Sequence, residues 1–290
     1  MTDIDWTPRN LLPGQYQIED LIFGKGTVYK CNNFEIMPYG VQAGDFQIPD
    51  MDENKFAKDQ HTPGPINITL GLIQNRWLRK IVSGAVLKSA DVGRLQRIWR
   101  GDGVRKQWGE QQALFFCGND YVQKVIYGRT GKFQYPRYSE KTESFECTLE
   151  FRRTDSFAYS ATEYVAAFDI NTPAPVMASA GTLGDAPSWV TIYLRGPMQG
   201  AEITFGSVVF QLDWDIPAGK ILEINSYPWS RRCVDSDGIN RRANLVGPTP
   251  YLDRLRFNYD QPLLIRCTAN GTTSESKGVV AYRDAFQIIG

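Results

Sequence analysis

Few side chains in this sequence have the types and spacing that catalysis requires. The one histidine, His61, lies in a Gln-His-Thr-Pro-Gly-Pro segment, and any Ser-His-Asp or Cys-His arrangement would have to use it. The prolines and the glycine around it predict a solvated turn. Asp213 and Asp215 flank Trp214, and on a strand both carboxylates would face the same side. A glycoside hydrolase needs two carboxylates about 5–9.5 Å apart across a cleft. Solvated aspartates at a strand edge are the more common case, so we predict no catalytic residue and no enzyme.

Metal and cofactor sites are predicted to be absent. The segment that begins at Asp50 matches a calcium loop at positions 1, 3 and 5, but its sixth residue is Lys55 instead of glycine and its twelfth is His61 instead of glutamate. The five scattered cysteines lack the ligand spacing of a zinc site, and we expect them to be free thiols. Gly24–Gly26 resembles the start of a phosphate-binding loop but precedes a predicted strand, not a helix.

The charge balance excludes two classes of partner. The chain carries 32 basic and 32 acidic residues, and residues 171–290 carry 11 of each. A sequence-independent grip on nucleic acid needs a basic surplus, so we predict neither nucleic-acid binding nor attachment to anionic membranes. The longest apolar run, Ala113–Cys117, is far shorter than the roughly 20 residues that cross a bilayer. We therefore expect no membrane insertion either.

Three arginines could form ion pairs between subunits. Arg94, Arg97 and Arg100 fall on the polar side of a predicted helix, where a merely solvated face is the alternative interpretation. The acidic partners would come from a neighbouring subunit, and the candidates are Asp50, Asp52 and Asp59. This arrangement would suit a closed homo-oligomer.

Two tryptophans could contact a sugar. Trp214 and Trp229 belong to the aromatic-rich second half of the chain. Aromatic rings stack on sugar rings, although burial in a core or interface is more common. The sequence leaves both interpretations open.

The pattern of the whole chain predicts a mainly all-β fold. Phe145–Phe151 alternates apolar and polar residues with the period of a half-buried strand. Clusters of Gly, Pro, Asn and Asp recur about every ten residues, as in sandwiches and barrels. One helix is predicted at Ser89–Arg100, with Gly101 as the left-handed residue after its end. Pro49–Pro65 has no periodicity and is predicted to be a long polar loop that is either disordered or makes contacts.

A break at Asn171–Pro175 predicts two domains. Two prolines follow the strand Phe145–Phe151 and a short aromatic segment, and strand-like sequence then begins again. We expect a β-sandwich or barrel with one packed helix at residues 1–170. A second β-sandwich is expected at residues 171–290.

This order of elements resembles the distal tail proteins, or minor tail proteins, of long-tailed bacteriophages with non-contractile tails, in particular those of actinobacterial phages. The stretches that carry the resemblance are Ile66–Gln74, Ser89–Arg100, Phe145–Tyr159, Ile216–Asn240 and Val279–Phe286. Together they extend over most of the chain as a pattern of element order.

The resemblance implies a first domain related to tail-tube subunits and a galectin-like second sandwich. It implies a hexameric ring in the virion, at the tail tip, that connects the tail tube to the hub and leaves a channel for the tape-measure protein and DNA. Assembly would take place in the host cytoplasm, and no catalytic residue is transferred. The alternative function is a carbohydrate- or host-receptor-binding protein, and a third is a glycoside hydrolase that uses Asp213 and Asp215.

Overall fold

The structure is a computed structural model, and it divides the chain into two compact units. The residues it describes are 8–38, 40–42, 46–47, 54–55, 60–72, 89–106, 110–139, 144–172, 174–176, 184–248, 250–257 and 263–287. Of these residues, the first unit takes in those up to Ala161 together with Gln287, and the second comprises Thr162–Phe286. The predicted boundary lies at residue 170, but residues 164–169 form a strand that pairs within the second unit.

The first unit is an antiparallel β-structure with two helices. Its strands are β1 (Gln15–Ile18), β2 (Leu21–Gly24), β3 (Tyr29–Ile36), β4 (Gly40–Gln42), β5 (Phe46–Gln47), β6 (Asn54–Lys55), β7 (Gln60–Thr62), β8 (Ile66–Leu72), β9 (Gln112–Cys117), β10 (Gln123–Phe133), β11 (Arg137–Ser139), β12 (Ser144–Arg153) and β13 (Phe157–Ser160). Its helices are α1 (Ser89–Arg100) and α2 (Asp102–Arg105). The main sheet has the order β2-β1-β9-β10-β12-β8-β3, with β11 beside β12 and β13 beside β10.

This sheet curls so that its two ends face each other. The rings of Tyr16 on β1 and Phe34 on β3 stack with their centroids 4.3 Å apart, although four strands separate β1 from β3 in the sheet order. In the middle of the sheet, Ile68 lies directly opposite Leu149, and both are buried. The alternation predicted for these strands is therefore confirmed.

Helix α1 begins and ends where the sequence predicts. Its apolar residues recur on one face and are buried, namely Val92, Leu95, Ile98 and Trp99. The indole N–H of Trp99 donates to the carbonyl of Glu150 on β12 over 3.1 Å. Gly101 has a φ of 56°, the left-handed conformation that ends helices and that glycine adopts at low cost. The short helix α2 follows at once and was not predicted.

The second unit is a β-sandwich. Its strands are β14 (Tyr164–Asp169), β15 (Ala174–Val176), β16 (Ser188–Arg195), β17 (Gln199–Phe205), β18 (Val208–Leu212), β19 (Ile221–Asn225), β20 (Arg232–Asp235), β21 (Leu245–Val246), β22 (Arg256–Phe257), β23 (Leu263–Asn270) and β24 (Lys277–Tyr282). The short strand β25 (Ala285–Gln287) follows them and belongs to neither sheet of the sandwich. One sheet has the order β14-β24-β16-β19-β20 with β22 beside β16, and the other has the order β15-β23-β17-β18-β21. Two short 3-10 helices interrupt the strands, at Arg242–Asn244 and Leu252–Arg254.

Both sheets of the second unit contribute to one core. Ile192 and Leu222 come from the first sheet, and Phe205 and Phe210 come from the second. All four are at most 1% exposed. A two-sheet core of this kind is the all-β architecture that the alternating sequence predicts.

Two continuous stretches of strand-like sequence are hairpins. Residues 15–24 are divided into β1 and β2 by a turn in which Glu19 has a φ of 52°. Residues 199–212 are divided into β17 and β18 by a turn at Gly206, with a φ of 58°. Tight turns that use a left-handed residue are short enough to be hidden inside a run of strand-like sequence.

Candidate functional site

Two of the three candidate interface arginines are paired within the chain. Arg94 contacts Asp20 over 2.6 Å, and Arg100 contacts Asp102 over 2.8 Å. The side chains in both pairs are well exposed, so each pair stabilises the fold by only about 0–1 kcal/mol. Arg97 is exposed and has no ion-pair partner among the described residues. It is the helix arginine with the greatest freedom to meet a neighbouring subunit.

The acidic candidates Asp50, Asp52 and Asp59 lie outside the described residues. They belong to the segment between β3 and β8, residues 37–65, which we call the excursion. Its described parts form two antiparallel pairs, β4 with β7 and β5 with β6. The excursion is therefore not the wholly irregular loop that its lack of periodicity predicts.

Arg153 fixes the base of the excursion. Its Nε donates to the carbonyl of Gly64 over 2.6 Å, and its Nη2 donates to the carbonyl of Met37 over 2.8 Å. The backbone N–H of Met37 also donates to the carbonyl of Pro65 over 3.0 Å. A Cβ at Gly64 would lie 2.3 Å from the carbonyl oxygen of Pro38, so only glycine fits there. One guanidinium thus binds both ends of the excursion to the end of β12.

The burial of Arg153 leaves part of its guanidinium without a partner. The residue is 7% exposed, and its Nη1 has no hydrogen-bond acceptor. Burial lowers the pKa of Arg153, while the nearby Asp155 carboxylate acts in the opposite direction. Sequence reasoning missed this residue, because the Arg-Arg-Thr-Asp-Ser run signalled only the end of a strand.

Asp155 is a buried carboxyl group beside Arg153. Burial raises its pKa to about 6. Three groups act against that rise: the hydroxyl of Tyr159 and the backbone N–H of Phe157, which both donate to the carboxylate, and the charge of Arg153. The N–H of Phe157 donates over 3.1 Å. Asp155 therefore titrates closer to neutrality than an ordinary aspartate.

A cavity of about 650 Å³ opens beside the base of the excursion. The residues that line it are Thr62, Pro63, Pro65, Glu110, Gln111, Arg129, Glu150, Arg152, Arg153 and Thr154. Among the described residues, no group pairs with the carboxylates of Glu110 and Glu150 or with the guanidinium of Arg152. Arg129 and Arg152 lie directly opposite each other on β10 and β12. The cavity therefore brings charged side chains of both signs together.

The candidate sugar-binding tryptophans lie in separate clusters of the second unit. Trp214 packs against the core, and the guanidinium of Arg241 lies 4.1 Å from its ring centroid. Trp229 lies against Tyr227, with centroids 5.2 Å apart. Both rings are already used by contacts within the fold. The sugar role of these residues remains a prediction.

Asp213 and Asp215 are exposed and lie in a bend after β18, not on a strand. The Oδ1 of Asp215 accepts from the backbone N–H of Gly200 over 3.1 Å. The strand geometry that would have aimed both carboxylates to one side is therefore absent from this pair.

Asp235 organises the neighbouring turn. Its carboxylate accepts from the backbone N–H groups of Asp237 and Ile239 and from Arg241, over 2.9–3.0 Å. Burial acts to raise the pKa of Asp235, but these hydrogen bonds outweigh it and lower the pKa. The run Asp235–Asn240 is thus a turn whose backbone is held by one carboxylate.

Neither a metal cluster nor a membrane span is found in the part of the chain that the structure describes. Within it, no three His, Cys, Asp or Glu side chains are grouped to hold a metal ion. No helix among the same residues has the length and apolarity to cross a bilayer.

Comparisons with known proteins find relatives by structure alone. No family model matches the sequence, and no curated protein matches it. The Dit protein (gp 19.1) of phage SPP1, described as a paradigm of the hub adsorption apparatus in phages that infect Gram-positive bacteria, aligns with 94% of this chain and 98% of its own. The TM-score is 0.59 and the identity 12%. A chain of the activated, calcium-bound baseplate of phage P2 aligns with 94% of this chain and 99% of its own, at a TM-score of 0.50 and 10% identity. At these identities the likeness shows a shared fold.

Proposed function

We propose that this protein is a structural component of a bacteriophage tail tip. One observation carries the proposal: the fold of the SPP1 Dit protein corresponds to 94% of this chain, so both units and their order in the chain are shared. The likeness to a chain of the phage P2 baseplate supports it further.

In this proposal the first unit closes into a homohexameric ring at the tail tip. The ring connects the tail tube protein to the hub protein and leaves a channel for the tape-measure protein and DNA. The protein assembles in the host cytoplasm and remains in the virion. A head-to-tail interface that closes on itself produces such a ring, and near-neutral charge allows like chains to approach without strong repulsion. Arg97 contributes an ion pair across each interface.

Light scattering after size exclusion tests the ring. We expect a particle of six times the chain mass of 32.8 kDa, with electron microscopy showing a closed ring. Arg97→Glu should shift the equilibrium towards smaller species, while Arg266→Glu, an exposed arginine on β23 of the second unit, should leave it unchanged. A protein that stays monomeric at high micromolar concentration, together with no ring density in virions, would refute the proposal.

The alternative, a carbohydrate- or host-receptor-binding protein, predicts a different outcome. A galectin-like second unit would bind glycans on an array, and Trp214→Ala or Trp229→Ala would abolish the signal. Because both rings already pack against Tyr227, Arg241 or the core, we expect no glycan signal from them.

A further inference from the structure

The sequence contains a single Asn-Gly dipeptide, Asn270-Gly271. Asn270 is the last residue of β23, and Gly271 begins the connection to β24. The side-chain amide of an asparagine can react with the backbone nitrogen of the next residue, and glycine favours this reaction because it has no Cβ to hinder the attack. The dipeptide therefore has the composition of a site of spontaneous chemical modification.

Both reacting groups of the dipeptide are accessible. Asn270 and Gly271 are exposed. In the part of the chain that the structure describes, the side-chain amide of Asn270 has no hydrogen-bond partner, and the backbone N–H of Gly271 has none either. The amide carbon and the nitrogen that attacks it can therefore meet without the loss of a hydrogen bond.

The geometry of the turn explains why glycine follows Asn270. Gly271 has a φ of 62°, in the left-handed region that glycine adopts at low cost. A Cβ at this position would also lie 3.2 Å from the side-chain amide carbon of Gln199. The turn thus favours glycine at the position that makes the preceding asparagine reactive.

Two other asparagines of the second unit provide internal controls. The Nδ2 of Asn171 donates to the carbonyl of Ala269 over 3.1 Å, and its Oδ1 accepts from the N–H of the same residue over 2.9 Å. Asn225 is buried, and its Oδ1 accepts from the backbone N–H of Tyr227 over 2.9 Å. Threonine follows Asn171 and serine follows Asn225, and their Cβ atoms hinder the attack. Both asparagines should react far more slowly than Asn270.

We propose that Asn270 is a deamidation site of the native protein. The backbone nitrogen of Gly271 gives up its proton and forms a bond to Cγ of Asn270. The bond between Cγ and Nδ2 breaks, and ammonia leaves with a proton from solvent. Water then opens the resulting succinimide ring. Breaking the bond from the ring nitrogen to Cγ gives aspartate, and breaking its bond to the α-carbonyl carbon gives isoaspartate.

Both products change the end of β23. Each adds a negative charge where Asn270 lies opposite Gln199. Isoaspartate also lengthens the main chain by a methylene group, just before the turn in which the hydroxyl of Ser276 donates to the carbonyl of Pro197 over 2.7 Å. This chemistry is independent of the proposed tail-tip function.

Peptide mapping by mass spectrometry tests the site. The full chain is incubated at pH 8 in oxygen-18 water, so that succinimide hydrolysis in the native protein is distinguished from deamidation during sample handling. We expect labelled aspartate and isoaspartate at position 270 before any appears at position 171 or 225. Native Asn270 should react within about tenfold of the rate in a synthetic peptide of residues 266–275, because neither burial nor a hydrogen bond protects it.

Two results would overturn the proposal. One is an unmodified Asn270 after the free peptide has reacted completely, and the other is earlier reaction at Asn171 or Asn225. Asn270→Gln is the matched variant, because it keeps an amide group but must close a larger ring. The release of ammonia from the native chain should fall sharply in this variant. Release that continues unchanged would place the reaction elsewhere and would also overturn the proposal.

Discussion

The buried carboxyl group of Asp155 should make the stability of the first unit depend on pH in an unusual direction. Its pKa in the folded state is raised to about 6 from 3.8. A raised pKa means that the stabilising contribution is fully present below pH 3.8 and is lost as the pH rises through 6. The shift of about two units corresponds to about 3 kcal/mol between these limits. Most aspartates do the opposite, because their folded-state pKa is lowered.

Asp155→Asn isolates this contribution. Asparagine keeps an oxygen that can accept from Tyr159 and from the N–H of Phe157, but it cannot ionise beside Arg153. The wild type should lose about 2.5 kcal/mol between pH 4 and pH 7.5 that the variant does not lose. The decrease in unfolding free energy caused by Asp155→Asn should therefore be larger at pH 4 than at pH 7.5.

Native-state hydrogen exchange of β10 and β12 amides, corrected for the intrinsic exchange rates, measures the opening free energy of this unit. Asp235→Asn is the matched control, because hydrogen bonds lower the pKa of Asp235 and the same substitution should show the opposite trend when amides of β19 and β20 are followed. A cost of Asp155→Asn that is constant with pH, or that grows as the pH rises, would refute the reasoning.

Three further predictions follow from the described contacts. Arg153→Lys should lower the free energy of unfolding by about 2 kcal/mol, because an ammonium lacks the planar fork that reaches the carbonyls of both Met37 and Gly64. Hydrogen exchange of the Met37 amide should accelerate in this variant. The control Arg152→Lys should change neither the free energy of unfolding nor the exchange rate. In a thiol-reagent assay at pH 8, at most one of the five cysteines of the native protein should react rapidly. Four of them are buried, and burial raises the pKa of all five thiols. Rapid reaction of several thiols before urea is added would contradict this prediction. The melting temperature should be equal with and without EDTA, and a clear fall on chelation would show a metal site that the sequence and the described residues do not indicate.

The elements that the sequence predicted correctly depend on local patterns. Helix α1 has the predicted bounds because its apolar spacing and Gly101 are signals within one short window. The paired strands β8 and β12 each carry strict alternation, so their buried faces are readable from the residues alone. A two-unit, all-β architecture follows from many such windows.

The features that the sequence did not predict depend on distant contacts. Arg153 is 89 residues from Gly64 and 116 from Met37 along the chain, and no periodicity connects residues so far apart. The cavity exists only where β10, β12 and the base of the excursion meet. The pairs of Arg94 with Asp20 and of Lys277 with Asp169 are equally long-range. Residue types suggested charged surfaces, but only the fold shows which charges are already paired.

The distribution of paired and unpaired charges supports placing the assembly surface on the first unit. In the second unit, neighbouring strands pair their charges directly, as Arg232 does with Glu223 over 2.8 Å. Around the cavity, Arg152, Glu110 and Glu150 have no partner among the described residues. Charged side chains without partners contribute little to the stability of the unit that carries them. Their concentration at one cavity is therefore explained better by contacts with a partner chain. A ring built through the first unit, as proposed, would give these charges partners.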